Sequence, residues 1–145
     1  MNRKSIVILI LLAAIFAAVI YTMLIKEPLI EKAIITEKQS LSEAEMQSLP
    51  SGKTDDFAFN NSSGIYAIFI VKDLKTGNTI NIKWFKIKDS KEELIQDDSV
   101  TTKKEGTGQI ATGLIMKNDA YEPGNYRMEY ALNGGASVSI NFVIK

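Results

Sequence analysis

The chain opens with a long apolar segment. Residues 5–25 read SIVILILLAAIFAAVIYTMLI and contain no charged side chain. As a helix rising about 1.5 Å per residue, this segment would be roughly 31 Å long, which matches the hydrocarbon core of a bilayer. Because Arg3 and Lys4 precede it, the positive-inside rule predicts that residues 1–4 are cytoplasmic and that everything after the membrane helix is not.

A cleaved secretion signal is the alternative for this segment, since it also begins with basic residues. Such signals have a shorter apolar core and end in small residues with A-x-A spacing. No two of the four alanines in the segment are two positions apart, and the residues at 21–24, Tyr-Thr-Met-Leu, are unlike a cleavage site. We therefore predict an uncleaved anchor.

The same alanines raise a question about helix packing. Ala13 with Ala17, and Ala14 with Ala18, have a spacing of four and share one helix face. A second transmembrane helix could approach closely there, which would give a helix-mediated oligomer. The other interpretation is that alanine is simply a good helix former, and the sequence leaves both open.

Residues 26–56 have a more polar composition, with Pro28 and Pro50 near the two ends. We predict a stalk that links the membrane helix to a folded domain. Ser40-Leu41-Ser42-Glu43 has the spacing of a capping box. The stalk is therefore expected to contain a helix of two turns.

From residue 57 to residue 145, short β-rich runs alternate with turn residues at intervals of about ten, as in antiparallel sandwiches. Tyr126, Met128 and Tyr130 alternate with polar residues and therefore predict one buried face. The run 65–71 is apolar almost throughout and is the best candidate for a central strand, whereas the change of phase between Trp84 and Phe85 predicts a bulge or burial on both faces. The candidate strands are 57–60, 65–72, 79–88, 92–95 with 100–103, 109–117, 125–132 and 136–144.

Charge and composition exclude several classes of function. The chain of 145 residues has 17 basic and 17 acidic side chains, no His and no Cys. A net charge of zero provides no long-range field for nucleic acid. The missing residue types exclude zinc thiolate and imidazole sites, Ser-His and Cys-His nucleophiles and disulfides. We predict a protein that is not an enzyme and binds no cofactor, metal or nucleic acid; the remaining enzymatic alternative is a hydrolase that uses carboxylates alone.

An acidic cluster lies in the sequence KDSKEELIQDDS. Its carboxylates could hold Ca²⁺ in a loop, but they lack the D-x-D-x-D-G order of a dedicated calcium loop. We predict a solvated turn instead of a metal site. The cluster consists of Asp89, Glu92, Glu93, Asp97 and Asp98, and the last two would be the first residues to test in a carboxylate hydrolase.

The stretch DAYEPGNYRM resembles the D…G-x-Y-x-C sequence that enters the penultimate strand of immunoglobulin-like domains. The matching residues are Asp119, Gly124, Tyr126 and Met128, with Met128 in the place of the cysteine. The resemblance implies that the Tyr126 hydroxyl bonds back to the backbone at a corner of the sandwich.

A second part of the resemblance lies in INIKWFK, where Trp84 is similar to the core tryptophan of the third strand. Ile68 or Ile70 would then replace the other cysteine. Taken over residues 57–144, the resemblance implies a cysteine-free immunoglobulin-like or fibronectin type III-like β-sandwich. The predicted fold class is therefore all-β, an antiparallel sandwich of about seven strands preceded by one transmembrane helix and a partly helical stalk.

A sandwich has exposed edges and loops where a partner can bind without any titratable catalyst. We therefore predict a single-pass protein of the cell membrane with a periplasmic or extracellular protein-binding or assembly domain, such as an accessory subunit of a membrane complex. The alternative is a secreted or periplasmic small-ligand-binding domain released by cleavage. The residues proposed to contact a partner flank the predicted strand ends: Lys86, Lys88, Tyr121, Glu122 and Asn125.

Overall fold

The computed structural model describes residues 3–24, 26–50, 58–62, 64–116 and 120–145. Phe57, Lys117, Asp119 and the end of the predicted stalk at 51–56 lie outside them. The described residues form helices α1 (Arg3–Leu24) and α2 (Glu43–Ser48) and strands β1 (Leu29–Thr36), β2 (Ala58–Phe59), β3 (Tyr66–Leu74), β4 (Thr79–Lys88), β5 (Lys91–Thr101), β6 (Gly106–Gly113), β7 (Gly124–Leu132) and β8 (Val138–Ile144).

The strands form two packed sheets, which confirms the sandwich. One sheet has the order β1-β3-β6, and the other has the order β2-β8-β7-β4-β5. Neighbouring strands are antiparallel except for β2 and β8, which are parallel. The core between the sheets is apolar, and its largest fully buried side chains include Trp84, Phe69 and Phe142.

Strand β1 is a departure from the predicted stalk. Leu29–Thr36 pairs with β3, and Ala33, Ile34 and Ile35 are buried. The charged pair Glu31-Lys32 hides this strand in the sequence, because it interrupts the alternation. In the structure the pairing register shifts between Ile30 and Lys32, so the interruption is an irregularity within the strand. The folded domain therefore begins well before residue 57.

The segment after β1 covers the outer face of the three-stranded sheet. Leu41 packs there with Ile34, Ile68 and Ile70, and Met46 and Leu49 add partly buried contacts. The Gln109 side chain joins the segment to β6, because its Oε1 accepts from the Leu41 N–H and its Nε2 donates to the Leu41 carbonyl, both at 3.0 Å. An amide side chain therefore makes the pair of hydrogen bonds that a neighbouring strand would make.

The helix predicted in this region is present as α2, although its capping box lies two residues later than expected. Ser42 is the N-cap, and it exchanges hydrogen bonds with Glu45. Hydrogen bonds from Lys38 and Ser42 lower the pKa of Glu45 to about 2. Lys32 Nζ donates to the Met46 and Leu49 carbonyls at 2.8 and 3.2 Å, which fixes the helix over β1.

The segment that covers the outer face, with Leu41, Met46 and Leu49, explains why β3 is apolar almost throughout. β3 lies in the centre of its sheet, as predicted, and is buried on both faces. However, the proposed replacement of a core cysteine by Ile68 or Ile70 is wrong. These two side chains lie under Leu41 on the outer face, whereas Phe69 faces the other sheet and contacts Tyr130 at 5.1 Å between ring centroids.

The predicted irregularity near Trp84 is confirmed. In the pairing of β4 with β5, Trp84 is opposite Gln96 but Phe85 is opposite Leu94, so β5 carries a bulge at Ile95. The bulge lies within a strand that runs continuously over 91–101, where the sequence suggested two short runs. β4 itself alternates without interruption, so Phe85 lies on the face opposite to buried Trp84, and the Arg127 guanidinium lies 4.3 Å from its ring centroid.

Helix α1 contains 22 residues. Its described side chains, at positions 8 and 10–21, are all exposed. Among the side chains that are described, no helical stretch meets the length and hydropathy needed to cross a bilayer.

Candidate binding groove

The structure brings three of the five proposed contact residues into one groove. Lys86, Tyr121 and Glu122 line a cavity of about 340 Å³ at one end of the sandwich. Lys88 and Asn125 are exposed at the ends of β4 and β7 and do not line it. The other lining residues are Glu93, Ile95, Gln96, Leu114, Ile115, Ala120 and Tyr126.

The groove forms where β4 continues beyond the core. Lys86 is two residues after Trp84, so its side chain points to the same inner face of the sheet. Its side chain is only 14% exposed and forms an ion pair with Glu122. Glu93 is directly opposite Lys86 on β5. One cation therefore lies between two carboxylates at the mouth of the groove.

Tyr121 fixes one wall of the groove. Its hydroxyl accepts a hydrogen bond from the Ile65 N–H at 3.3 Å and donates to the Leu114 carbonyl at 2.7 Å. Leu114 N–H in turn donates to the Ile65 carbonyl at 2.8 Å. Burial raises the pKa of Tyr121, and the hydrogen bond from Ile65 only partly opposes this shift. The phenol is therefore a structural clamp that stays neutral near pH 7.

Tyr126 fixes the opposite wall. Its hydroxyl donates to the Glu122 carbonyl at 2.6 Å, which confirms the predicted bond back to the backbone. Its ring stacks on Phe142 with 5.5 Å between centroids. Burial is the main cause of its raised pKa. The backbone at Glu122, whose side chain pairs with Lys86, is thus held by a core tyrosine.

Gln96 closes the side of the groove, a role that the sequence did not indicate. Its Oε1 accepts from the Ile115 N–H at 2.7 Å, and its Nε2 donates to the Gly113 carbonyl at 2.9 Å. The amide therefore links β5 of one sheet to the end of β6 in the other. A lone glutamine gives no signal for this in the sequence, because the bond depends on the bulge next to it.

Ile115 is another groove residue that sequence reasoning missed. It was expected inside a strand over 109–117, but β6 ends at Gly113 and Ile115 is 69% exposed at the groove. Burial of such a side chain by a partner is worth about 1.5–3 kcal/mol. The groove therefore offers an apolar contact next to a charged rim.

The acidic cluster does not converge on one point. Glu92 accepts two hydrogen bonds from Arg127, each at 2.7 Å, and this pairing lowers the pKa of Glu92. Glu93 lines the groove. Asp97 and Asp98 lie further along β5, opposite Lys83 and Ile82 of β4 in the strand register. Within the described ranges, no three Asp or Glu side chains are placed to share a metal ion.

No protein-family model matches this chain, and no curated protein matches it. The groove itself therefore carries the functional argument. It offers apolar walls, one paired lysine, two glutamates and two tyrosines that hold the backbone. This arrangement suits recognition of an apolar side chain with a charged neighbour.

Proposed function

We propose that this chain is a single-pass, membrane-anchored binding module whose immunoglobulin-like domain lies outside the cytoplasm and binds a partner protein through the groove. It acts by binding and performs no catalysis. The observation that carries this proposal is exposed Ile115 beside the Lys86–Glu122 ion pair.

The anchor is supported by the surface of α1. Large apolar side chains along this helix are 42–69% exposed, from Ile8 to Tyr21. A water-facing surface of this kind is unfavourable, because each such side chain gains about 1.5–3 kcal/mol on leaving water. In the sequence, the uncharged run from 5 to 25 is long enough to cross a bilayer's hydrocarbon core as a helix. The basic residues before it favour a cytoplasmic N-terminus and an extracytoplasmic domain.

The immunoglobulin-like assignment is supported by the neighbours of Trp84. Met128, which replaces the cysteine in the resemblance, lies directly opposite Trp84 on β7, and both are fully buried. The Tyr126 hydroxyl bonds back to the backbone, as the tyrosine of such domains does. Placing β4 and β7 side by side in one sheet and β3 in the other is consistent with that family of sandwiches.

The chemistry of the groove indicates the kind of segment that would bind. Ile95, Leu114 and Ile115 provide apolar contact for an aliphatic or aromatic side chain. The charged lining residues are one lysine and two glutamates, so the rim has a net charge of −1. A partner segment with a basic residue beside its apolar anchor therefore fits best.

The anchor is tested by extracting membranes with sodium carbonate. We expect the full chain to stay in the pellet, because an apolar helix is not released when peripheral electrostatic contacts are broken. Protease added outside spheroplasts should remove the domain. Release into the supernatant, or protection from the protease, would contradict the anchor or its orientation.

The groove is tested with a photoreactive amino acid at Ala120, which lines it and carries no charge. We expect a discrete cross-linked product in native membranes, and Ile115→Glu should reduce it at least about tenfold, because losing roughly 1.5–3 kcal/mol of apolar burial lowers affinity by that order.

The matched control is Val138→Glu, which adds the same charge at an apolar side chain 41% exposed near the opposite end of the sheet. It should leave the product unchanged. An equal loss with both variants, or no discrete product at all, would show that the groove is not the partner site.

A small-ligand-binding domain remains the second candidate, because a cavity of about 340 Å³ lies within the usual size range of ligand pockets. That function would accompany removal of the apolar segment. N-terminal sequencing of the mature protein separates the two candidates, since a start near residue 26 supports secretion and a start at residue 1 or 2 supports the anchor.

A further inference from the structure

We infer that β6 pairs with β6 of a second copy of this chain, so that two domains join through their three-stranded sheets. β6 is the last strand in its sheet. The outer backbone edge of a terminal strand presents N–H and C=O groups that another strand can pair with. This inference adds a self-association surface to the proposed function and uses a different part of the domain from the groove wall.

The other three sheet edges carry features that oppose strand pairing. β5 is rich in charge, β1 has a register shift at Glu31-Lys32, and β2 contains only two residues. Charges, irregularities and short length are the usual protections of sheet edges. β6 reads GTGQIATG, with no charged residue and no proline. Of the described edges, it alone is both uncharged and longer than two residues, although its pairing with β3 has a register shift at the Gly106 end.

The occupant is a second copy because β6 can face itself without electrostatic cost. Two copies of β5 would oppose strands that each carry four acidic residues and one lysine. Two copies of β6 bring no like charges together. The formal net charge of the chain is zero, so no long-range repulsion keeps two copies apart.

The contacts at the end of β6 define how much of the strand is available. Gln96 already bonds the Gly113 carbonyl, and the Thr112 hydroxyl donates to Asp98 at 3.4 Å, so regular pairing is confined to residues 108–111. Ile110 packs against the inter-sheet core, whereas Gln109 bonds Leu41 on the outer face. Residues directly opposite in an antiparallel pair share a face, so the twofold axis passes between the two copies of one residue, such as Gln109 or Ile110, which then lie opposite each other.

Such a short interface is weak in free solution, and the proposed anchor makes it effective. Two tethered copies in one membrane meet at a raised effective concentration. The chain has no cysteine, so a single introduced thiol reports on one position alone. The test uses full-length Gly108→Cys and Ala111→Cys in native membranes, bridged by a short bismaleimide. Ser99→Cys, on the exposed β5 edge, is the control for random collision.

We expect a product of twice the chain mass from both β6 variants and a several-fold smaller yield from the β5 control. Adding Gly108→Lys to Ala111→Cys should abolish the product, because it puts like charges on the paired edge. Adding Gly108→Ala should not. Gly108 suits both changes, since a Cβ there meets nothing within 4 Å and no left-handed backbone is required.

Equal yields from β5 and β6 thiols, no dimeric product from either β6 variant, or a yield unaffected by Gly108→Lys would each overturn the inference. Failure of the anchor is seen separately by carbonate extraction. If the chain is released but the β6 product still forms and is still lost with Gly108→Lys, the self-pairing stands and the membrane anchor is wrong.

Discussion

Replacing Trp84 with alanine is expected to lower the free energy of unfolding by about 3–5 kcal/mol, the usual cost of removing a fully buried aromatic side chain. Trp84 is 0% exposed and contacts Phe142 edge to face, with 6.1 Å between ring centroids. It also lies opposite Met128 in the same sheet. Trp84 is the single tryptophan, so the variant has no tryptophan fluorescence. Unfolding in urea should therefore be followed by circular dichroism.

Trp84→Phe is the informative control. Among the described residues, the buried Trp84 Nε1 has no hydrogen-bond partner. A buried donor without a partner costs about 1–3 kcal/mol, and phenylalanine removes that donor while keeping most of the ring. We therefore expect Trp84→Phe to be clearly less destabilising than Trp84→Ala. An alanine variant within about 1 kcal/mol of the parent would contradict the position of Trp84 at the centre of the core.

Stability is expected to fall steeply above about pH 10, the ordinary tyrosine pKa. Burial raises the pKa of Tyr121, Tyr126 and Tyr130 in the folded protein. Between the unfolded and folded pKa values, the unfolded chain releases protons that the folded chain retains, so rising pH favours unfolding. Three such groups can lower the free energy of unfolding by up to roughly 4 kcal/mol per pH unit in that window. Below the window all three are protonated in both states, so their full contribution to stability is present.

Tyr130→Phe isolates one of these groups, because burial alone raises the pKa of Tyr130. In urea titrations between about pH 9 and pH 12, the variant should lose up to roughly 1.4 kcal/mol per pH unit less than the parent. Below this window the two proteins should have parallel pH profiles. Equal slopes above pH 10 would show that Tyr130 ionises as readily in the folded protein as in the unfolded chain.

The pattern of β7 predicted its place in the fold, because alternation of apolar and polar residues is a local property of a half-buried strand. Tyr126 and Trp84 were assigned through the family resemblance, and both occupy the expected core positions. The stalk prediction failed over Leu29–Thr36 because the burial of this strand depends on a distant partner. Its charged pair breaks the alternation, and only pairing with β3 makes the run Ala33-Ile34-Ile35 a core element.

The sequence by itself determined an apolar N-terminal segment, a disulfide-free β-rich domain, the turns and most strand positions, since these follow from composition and short-range periodicity. Only the tertiary structure decided the outer cover on β3, the groove and the free edge of β6. Gln109 reaches Leu41 across 68 positions and Gln96 reaches Ile115 across 19. Such contacts are selected by how two sheets pack, and an isolated glutamine in the sequence carries no trace of the backbone group that it will meet.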